Sequence, residues 1–316
     1  MDRNLTLEAV RLTEASALFA SRSMGQGEPE MAYESATEAM AKVFSSMKID
    51  GEVVISADSI NNILHDGEKI GTQDGLKLDL AVKPLDGKKT CARGGDNAIS
   101  IVVIGSRGSF LKVPIGYMKK IAVGKDAKGE IDINESVEVN IKRVARAKGK
   151  YIDDITVCVL DREINSGLVA NIRETGAKIK FITDGDISGI IATALENSMI
   201  DILMGIGGAK ETVLSAAALR CLDGDMQASF VDIGGTRDKV IKQLGKRAFD
   251  KIYLADDLVK KDDFLVSATG VTNGLILPGV RYFVGGAETH SIVFRQRTHT
   301  LRFIRATHRF DYKPVF

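Results

Sequence analysis

The chain has 316 residues, 44% hydrophobic and 27% charged, with 43 basic against 42 acidic side chains and a net charge of +1. That length can bury two domain cores or one large one, and the balanced charge excludes a global pull toward nucleic acid or an anionic membrane. Cys91, Cys158 and Cys221 lie far apart with no C-x-x-C, which predicts buried free thiols rather than disulfides. No apolar stretch approaches the ~20 residues of a bilayer span. The opening "MDRNLTLEAV" lacks an export signal, so the expected location is cytoplasmic.

Leu5, Leu12 and Phe19 recur at seven-residue spacing with Ala9 and Ala15 between them, predicting one face of a helix that ends near Gly25. Pro29 sits where a second helix can begin, with Ala32, Ala36, Ala39, Met40, Val43 and Met47 as its buried stripe. Short β-branched runs follow: "EVVIS" (52–56), "LDLAV" (78–82), "AISIVVIG" (98–105) and "SFLKVP" (109–114). Two helices and then strands predict an α+β layer.

From about residue 150 a different rhythm sets in. "ITVCVL", "KIKFIT" and "DILMGI" each lead through a short polar turn into a helical stretch. Three such units predict parallel strands joined by right-handed crossovers. Strand-like segments return after 264, and the basic stretch from His299 to Lys313 reads as the solvated face of a strand pair. The expected division is an α+β domain over 1–120 and an α/β domain over 121–316, with the surface connection "VGKDAKGEIDINES" near the junction.

Ligands of an open parallel sheet collect beyond the carboxyl ends of its strands. Those ends carry Asp161-Arg162-Glu163, Asp184-Gly185-Asp186 and Gly207-Gly208-Ala209-Lys210-Glu211. A glycine pair lets backbone approach a ligand and a helix start offers N–H donors to an anion; its plain alternative is a tight turn. Arg162 can grip a phosphate, and Asp184 or Asp186 can accept from sugar hydroxyls or simply cap a helix. Together the three turns predict a phosphorylated, sugar-like ligand. In "AVKPLDGKKT" (81–90), Pro-Leu-Asp-Gly after an apolar run suits a metal beside a phosphate, yet the first position is Lys83.

The ordered motifs "GEKIGT" (67–72), "PLDG" (84–87), "YMKKIAVG" (117–124), "TDGD" (183–186), "GIGGAKE" (205–211), "ALRCLDGDM" (218–226) and "SATGVTNG" (267–274) resemble those of class II fructose-1,6-bisphosphatases, relatives of the lithium-sensitive sugar phosphatases. The resemblance implies an α/β layered sandwich with a mixed N-terminal sheet, a mostly parallel C-terminal sheet and an active site in the cleft between two domains. It implies substrate roles for Tyr117, Arg162, Asp184, Gly185, Asp186 and Gly208, with Gly207 added as the other glycine of that turn, and metal-ligand character for Asp86 and Glu211.

Other positions depart from the family pattern. Tyr33 falls at an acidic ligand and Pro29 at a lysine. Ala57, Ser59 and Asn61 replace three acids. Lys83 stands at a metal-ligand aspartate, Lys88 at a water-positioning threonine, and Ile164 at a second basic substrate contact. Only Asp58 or Asp66 offers partial compensation. Two-metal hydrolysis needs carboxylates holding cations ~3.5–4 Å apart, and magnesium prefers octahedral oxygen coordination. A lysine there opposes a divalent ion by roughly 8 kcal/mol at ~4 Å and an effective dielectric of 20. The expectation is that Lys83 occupies the vacated position and pairs with Asp86, Glu211 or both, while Lys88 and Lys89 lie on a solvated turn.

The leading expectation is therefore a non-hydrolytic relative that binds a sugar phosphate or phosphate and acts as a sensor or regulatory subunit. It needs no cofactor and its partners are further copies (a dimer or tetramer) or an active relative. The alternative is a working phosphatase with Mg or Mn on Asp86, Glu211 and Asp58. A third possibility is a Schiff base on Lys83 or Lys88 with a ketose phosphate. Candidate catalytic residues are Asp86, Lys83 and Lys88.

Overall fold

The computed structural model describes residues 5–56 and 62–312. Helix α1 (Leu5–Ser21) buries Leu5, Ala9, Leu12, Thr13, Ser16, Ala17 and Ala20. Phe19 departs from the expected face and is 51% exposed. A straight helix drifts ~20° per heptad against a seven-residue repeat, so two heptads carry Phe19 off the buried stripe. Helix α2 (Pro29–Ser45) has its proline in the first turn, where the missing N–H has no intrahelical acceptor to lose. Its buried stripe is Ala32, Ala36, Ala39, Met40 and Val43, with Tyr33 beside it.

Strands β1 (Ile49–Ser56), β2 (Lys69–Ile70) and β3 (Leu76–Asp86), the short helix α3 (Lys88–Ala92) and strand β4 (Ile99–Ser106) follow. β1 and β3 are parallel, and β3 and β4 antiparallel. From Leu78 to Asp86 every residue of β3 is buried, the charged Asp79, Lys83 and Asp86 included, so its apolar residues do not alternate with exposed polar ones. Leu80, Val82, Val102 and Ile104 share a core with Leu12, Met40 and Phe44. The stretch 109–114 makes no strand beyond a bridge at Phe110; Pro114 has no N–H to give a ladder.

The chain then builds a second sheet from β5 (Tyr117–Val123), β6 (Thr156–Leu160), β7 (Lys178–Ile182), β8 (Ile202–Gly208), β9 (Asp225–Val231) and β10 (Ile252–Leu254). Between them run α4 (Val137–Lys148), α5 (Ser166–Glu174), α6 (Asp186–Ala192), α7 (Ala209–Cys221), α8 (Thr236–Leu244) and α9 (Lys246–Phe249), with α10 (Ala255–Leu258) after β10. Strand order is β10-β9-β5-β8-β6-β7. The three strand–turn–helix units pair in parallel as expected, β6 with both β7 and β8. β5 enters antiparallel between β8 and β9, so this sheet too is mixed. Ile121, Val144, Val157, Ile172 and Met204 form its core. Helix α4 is capped at both ends: Ser136 Oγ accepts the Val139 N–H, and Gly149 adopts φ 62°.

Asp201, just before β8, is 2% exposed. Lys150 and Lys148 reach its Oδ1 at 2.7 and 2.9 Å, and the Thr156 N–H donates to Oδ2 at 3.0 Å. Burial raises this carboxyl, but those three donors outweigh it and hold the pKa below the usual carboxylate value. A lowered folded pKa means the unfolded chain binds more protons. The pair therefore stabilises the fold above the unfolded value of about 4 and loses that contribution as pH falls through the folded value. Asp201→Asn should cost about 1–3 kcal/mol near neutrality and flatten the acid limb of stability in urea melts; a variant with the wild-type profile would contradict this.

After 260 the chain returns to the first sheet with β11 (Phe264–Gly270), β12 (Arg281–Phe283), β13 (Gly286–Arg295) and β14 (Thr300–Arg309). β11 pairs antiparallel with β4 on one side and β13 on the other. The compact units are therefore 1–110 with 261–316, and 111–260. This corrects the expected split at 120 and 121: the second unit is an insertion, and pairing between strands some 160 residues apart leaves no local pattern. β14 pairs with β13, with Arg302, Phe303, Arg305 and Arg309 exposed, as the basic stretch predicts. Among the described residues no helix is long and apolar enough to cross a membrane. All three cysteines are free and buried. Burial pushes the Cys91 thiol up to about 11 and Cys158 up to about 12, and raises Cys221 as well, which leaves them unreactive.

Candidate functional site

Because β6, β7 and β8 run parallel, their carboxyl ends share one edge of the second sheet. The turn after β6 carries Arg162, the turn after β7 carries Asp184, Gly185 and Asp186, and β8 ends in Gly207 and Gly208. Antiparallel β5 starts at the same edge, with Tyr117 directly opposite Gly208. Tyr117 is 38% exposed, and its backbone N–H donates to Thr236 Oγ1 at 3.3 Å. All seven residues expected to bind substrate thus lie on one edge of one sheet.

Arg162 donates to Asp184 Oδ1 at 3.0 Å, with both side chains partly exposed. Such a pair is worth at most about 1 kcal/mol, so a phosphate can replace the carboxylate with little loss. Gly185 turns the chain at φ 76°, which a side chain would strain, and Asp186 opens α6 at 4% exposure. Ile164, where the resemblance leads to a second basic contact, lines a cavity of about 130 Å³ that mixes aliphatic side chains such as Leu168 and Met204 with Lys119, Lys120, Glu135 and Asn165.

The glycine pair differs from its expected role. A Cβ on Gly208 would lie 1.9 Å from Glu211 Oε2, so the Glu211 carboxylate sits back over the turn. The Ala209 N–H is taken by Gly116 O at 2.9 Å. The start of α7 is therefore covered by its own acid rather than open to an anion. A Cβ on Gly207 would lie 2.0 Å from Asp186 Oδ2, so Gly207 is required by close packing between two turns.

That packing centres on Lys120, which the sequence reading passed over. Its Nζ donates to Asp186 Oδ2 at 2.7 Å and to Gly208 O at 3.2 Å, and its side chain is 1% exposed. The signal was present: on β5, Lys120 is in phase with buried Met118 and Ala122, and a lysine on a buried face needs a partner. Asn165 was missed too. Its side chain ties the end of β6 to β8, donating to Leu160 O and accepting the Ile206 N–H, both at 3.0 Å.

In the other unit, Lys83 and Asp86 are 6% and 4% exposed on β3. A register shift between them marks an irregularity at Pro84. Lys88 stands in the first turn of α3, its Nζ 5.5 Å from the centroid of the fully buried Tyr33 ring and 3.8 Å from Glu30 Oε1. Lys88 is therefore half-buried against α2 rather than on a solvated turn, while Lys89 is exposed. Asp66 accepts the Ser56 N–H at 2.7 Å and so closes the end of β1. Ala57, Asp58, Ser59 and Asn61 lie outside the described residues. Among the described residues no three His, Cys, Asp or Glu side chains gather into a group able to hold a metal ion.

The family model for bacterial, glpX-encoded fructose-1,6-bisphosphatase matches residues 3–308. The chain belongs to that family. A class 2 fructose-1,6-bisphosphatase of Haemophilus influenzae is 36% identical over 326 residues, covering 98% of each chain. Fructose-1,6-bisphosphatase 1 class 2 of Escherichia coli strain K12 is 35% identical over 328 residues, covering 99% of this chain and 97% of that one. Membership in the glpX family accords with the α/β architecture of two mixed sheets flanked by helices.

Proposed function

We propose that this family member binds a sugar phosphate and does not hydrolyse it. The observation that carries the reading is Lys83, a lysine 6% exposed on β3 at the strand position where the resemblance puts a metal-ligand aspartate. Two further altered positions, Tyr33 and Lys88, lie against each other, consistent with their having changed together. A buried ammonium and an aromatic ring are no ligands for a hard divalent cation, which takes oxygen donors. The donor set in the described residues does not fit a two-metal centre.

The ligand contacts fall to the edge of the second sheet. Arg162 exchanges Asp184 for a phosphate, the Asp184–Asp186 turn accepts sugar hydroxyls, and Tyr117 lends a phenol and a ring face, while Gly207 gives the Asp186 side chain the room it occupies. With phosphate bound and no activated water, the protein acts as a sensor or a regulatory subunit.

A second reading, hydrolysis on a reduced Mg or Mn site using Asp86, Glu211 and Asp58, draws support from the names of relatives at 35–36% identity. Phosphate release from fructose 1,6-bisphosphate separates the two. The first expects the rate of the protein-free control with either Mg²⁺ or Mn²⁺. Turnover abolished by chelator and by Glu211→Ala would establish the second.

A further inference from the structure

Lys120 contacts two of the turns assigned to the ligand and belongs to neither. One acceptor is Asp186 Oδ2, in the turn after β7; the other is the Gly208 carbonyl, in the turn after β8. Between them lies Gly207, whose absent Cβ leaves the room the contact needs: a methyl there would sit 2.0 Å from Asp186 Oδ2 and 3.1 Å from Lys120 Nζ. Asp186 is 4% exposed, and among the described residues its Oδ1 takes no hydrogen bond. Asp186 Oδ1 is not buried away from donors; it reaches solvent, where a ligand hydroxyl can donate to it.

We infer that Lys120 is a positioning residue for the ligand: it fixes Asp186 through Oδ2, so that Oδ1 is held in place to accept a ligand hydroxyl, and it locks that turn to the Gly207–Gly208 turn. The ammonium supplies up to three donors from one point, which lets a single side chain serve acceptors on two turns. It also offsets the Asp186 charge, so that a polyol, rather than a cation, is the chemical class that fits Oδ1. The inference rests on the sugar-phosphate reading above and assigns Asp186 to its hydroxyl-bearing part.

The test uses the full chain, Lys120→Gln and Lys120→Arg, with amide hydrogen exchange over 184–188 and 205–211 in the absence of ligand and calorimetric titration with fructose 1,6-bisphosphate. In Lys120→Gln both segments should exchange at least tenfold faster while the rest of the unit keeps its protection. Affinity should fall at least tenfold, and Lys120→Arg should return both readouts to within threefold of wild type. Unchanged exchange, faster exchange in one turn only, or loss of protection throughout the unit would overturn the inference. So would unchanged affinity in Lys120→Gln. If the wild-type chain fails to bind the bisphosphate, the sugar-phosphate reading falls, and the exchange experiment still decides whether Lys120 joins the two turns.

Discussion

Exchanging Lys83 for aspartate should raise the affinity of the chain for Mn²⁺ about a hundredfold, corresponding to about 2.7 kcal/mol. The electrostatics leave room for that gain. One unit-charge contact at ~4 Å and an effective dielectric of 20 is worth about 4 kcal/mol, and a divalent ion doubles it. Lys83→Asp removes that repulsion and adds an attraction of like size; dehydrating the ion and the carboxylate offsets most of the sum. The remainder needed is a small fraction of the total. The exchange sits beside a second acid, since Asp86 is buried three residues along the same strand. Titration followed by the paramagnetic signal of free Mn²⁺ reads the affinity directly. Equal binding by Lys83→Asp and wild type would show that the lysine is not what keeps cations away.

Gly207→Ala should destabilise the second unit by about 3–5 kcal/mol and abolish sugar-phosphate binding. The added methyl would meet Asp186 Oδ2 at 2.0 Å and Asp186 Cγ at 3.1 Å, and that oxygen is already held by Lys120 at 2.7 Å. A surface carboxylate would swing aside at little cost, but Asp186 is 4% exposed and its partner's side chain 1%. Moving it separates a buried ion pair, the kind of loss that costs about 3–5 kcal/mol. Gly208→Ala is the useful control. Its methyl would meet the far end of the Glu211 side chain, which is half-buried where Asp186 is 4% exposed, and the expected cost is about 2 kcal/mol, within the ~1–3 kcal/mol typical of overpacking. Denaturant melts of the two variants should differ accordingly. A Gly207→Ala melt within 1 kcal/mol of wild type would mean that the turn is looser than its distances imply.

Much of this fold is written in local pattern. The buried stripe of α2, the apolar-rich stretch at 78–82 and the three strand–turn–helix units are visible because periodicity and turn residues are properties of short windows. The insertion of 111–260 into the first unit is not local. β4 and β11 complete one another's ladders from opposite ends of that insertion, and neither strand's composition points to its partner. Phe19 shows a smaller version of the limit, where a seven-residue repeat holds over one heptad and fails over two.

The candidate site divides along the same line. Arg162, Asp184 and Asp186 and the glycine pair are legible because strand ends of a parallel sheet and Gly-Gly turns have a sequence signature. The fold-back of Glu211 over Gly208 depends on a side-chain conformation and has no such signature. Lys120 lies between these cases. Its phase along β5 marked it as buried, while its acceptors come from two other strand ends, so its partner could be expected but not named. Lys88 against Tyr33 was hidden for the same reason, since α2 and α3 meet only in the folded chain.

The most direct measurement of whether fixed lysine charge has taken over from divalent ions is a calorimetric titration of the chain with fructose 1,6-bisphosphate, run once in EDTA and once in Mn²⁺, with inorganic phosphate assayed in the cell afterwards. The predicted result is the same affinity in both runs and no phosphate. Binding that appears only with Mn²⁺, or phosphate accumulating during that run, would contradict it.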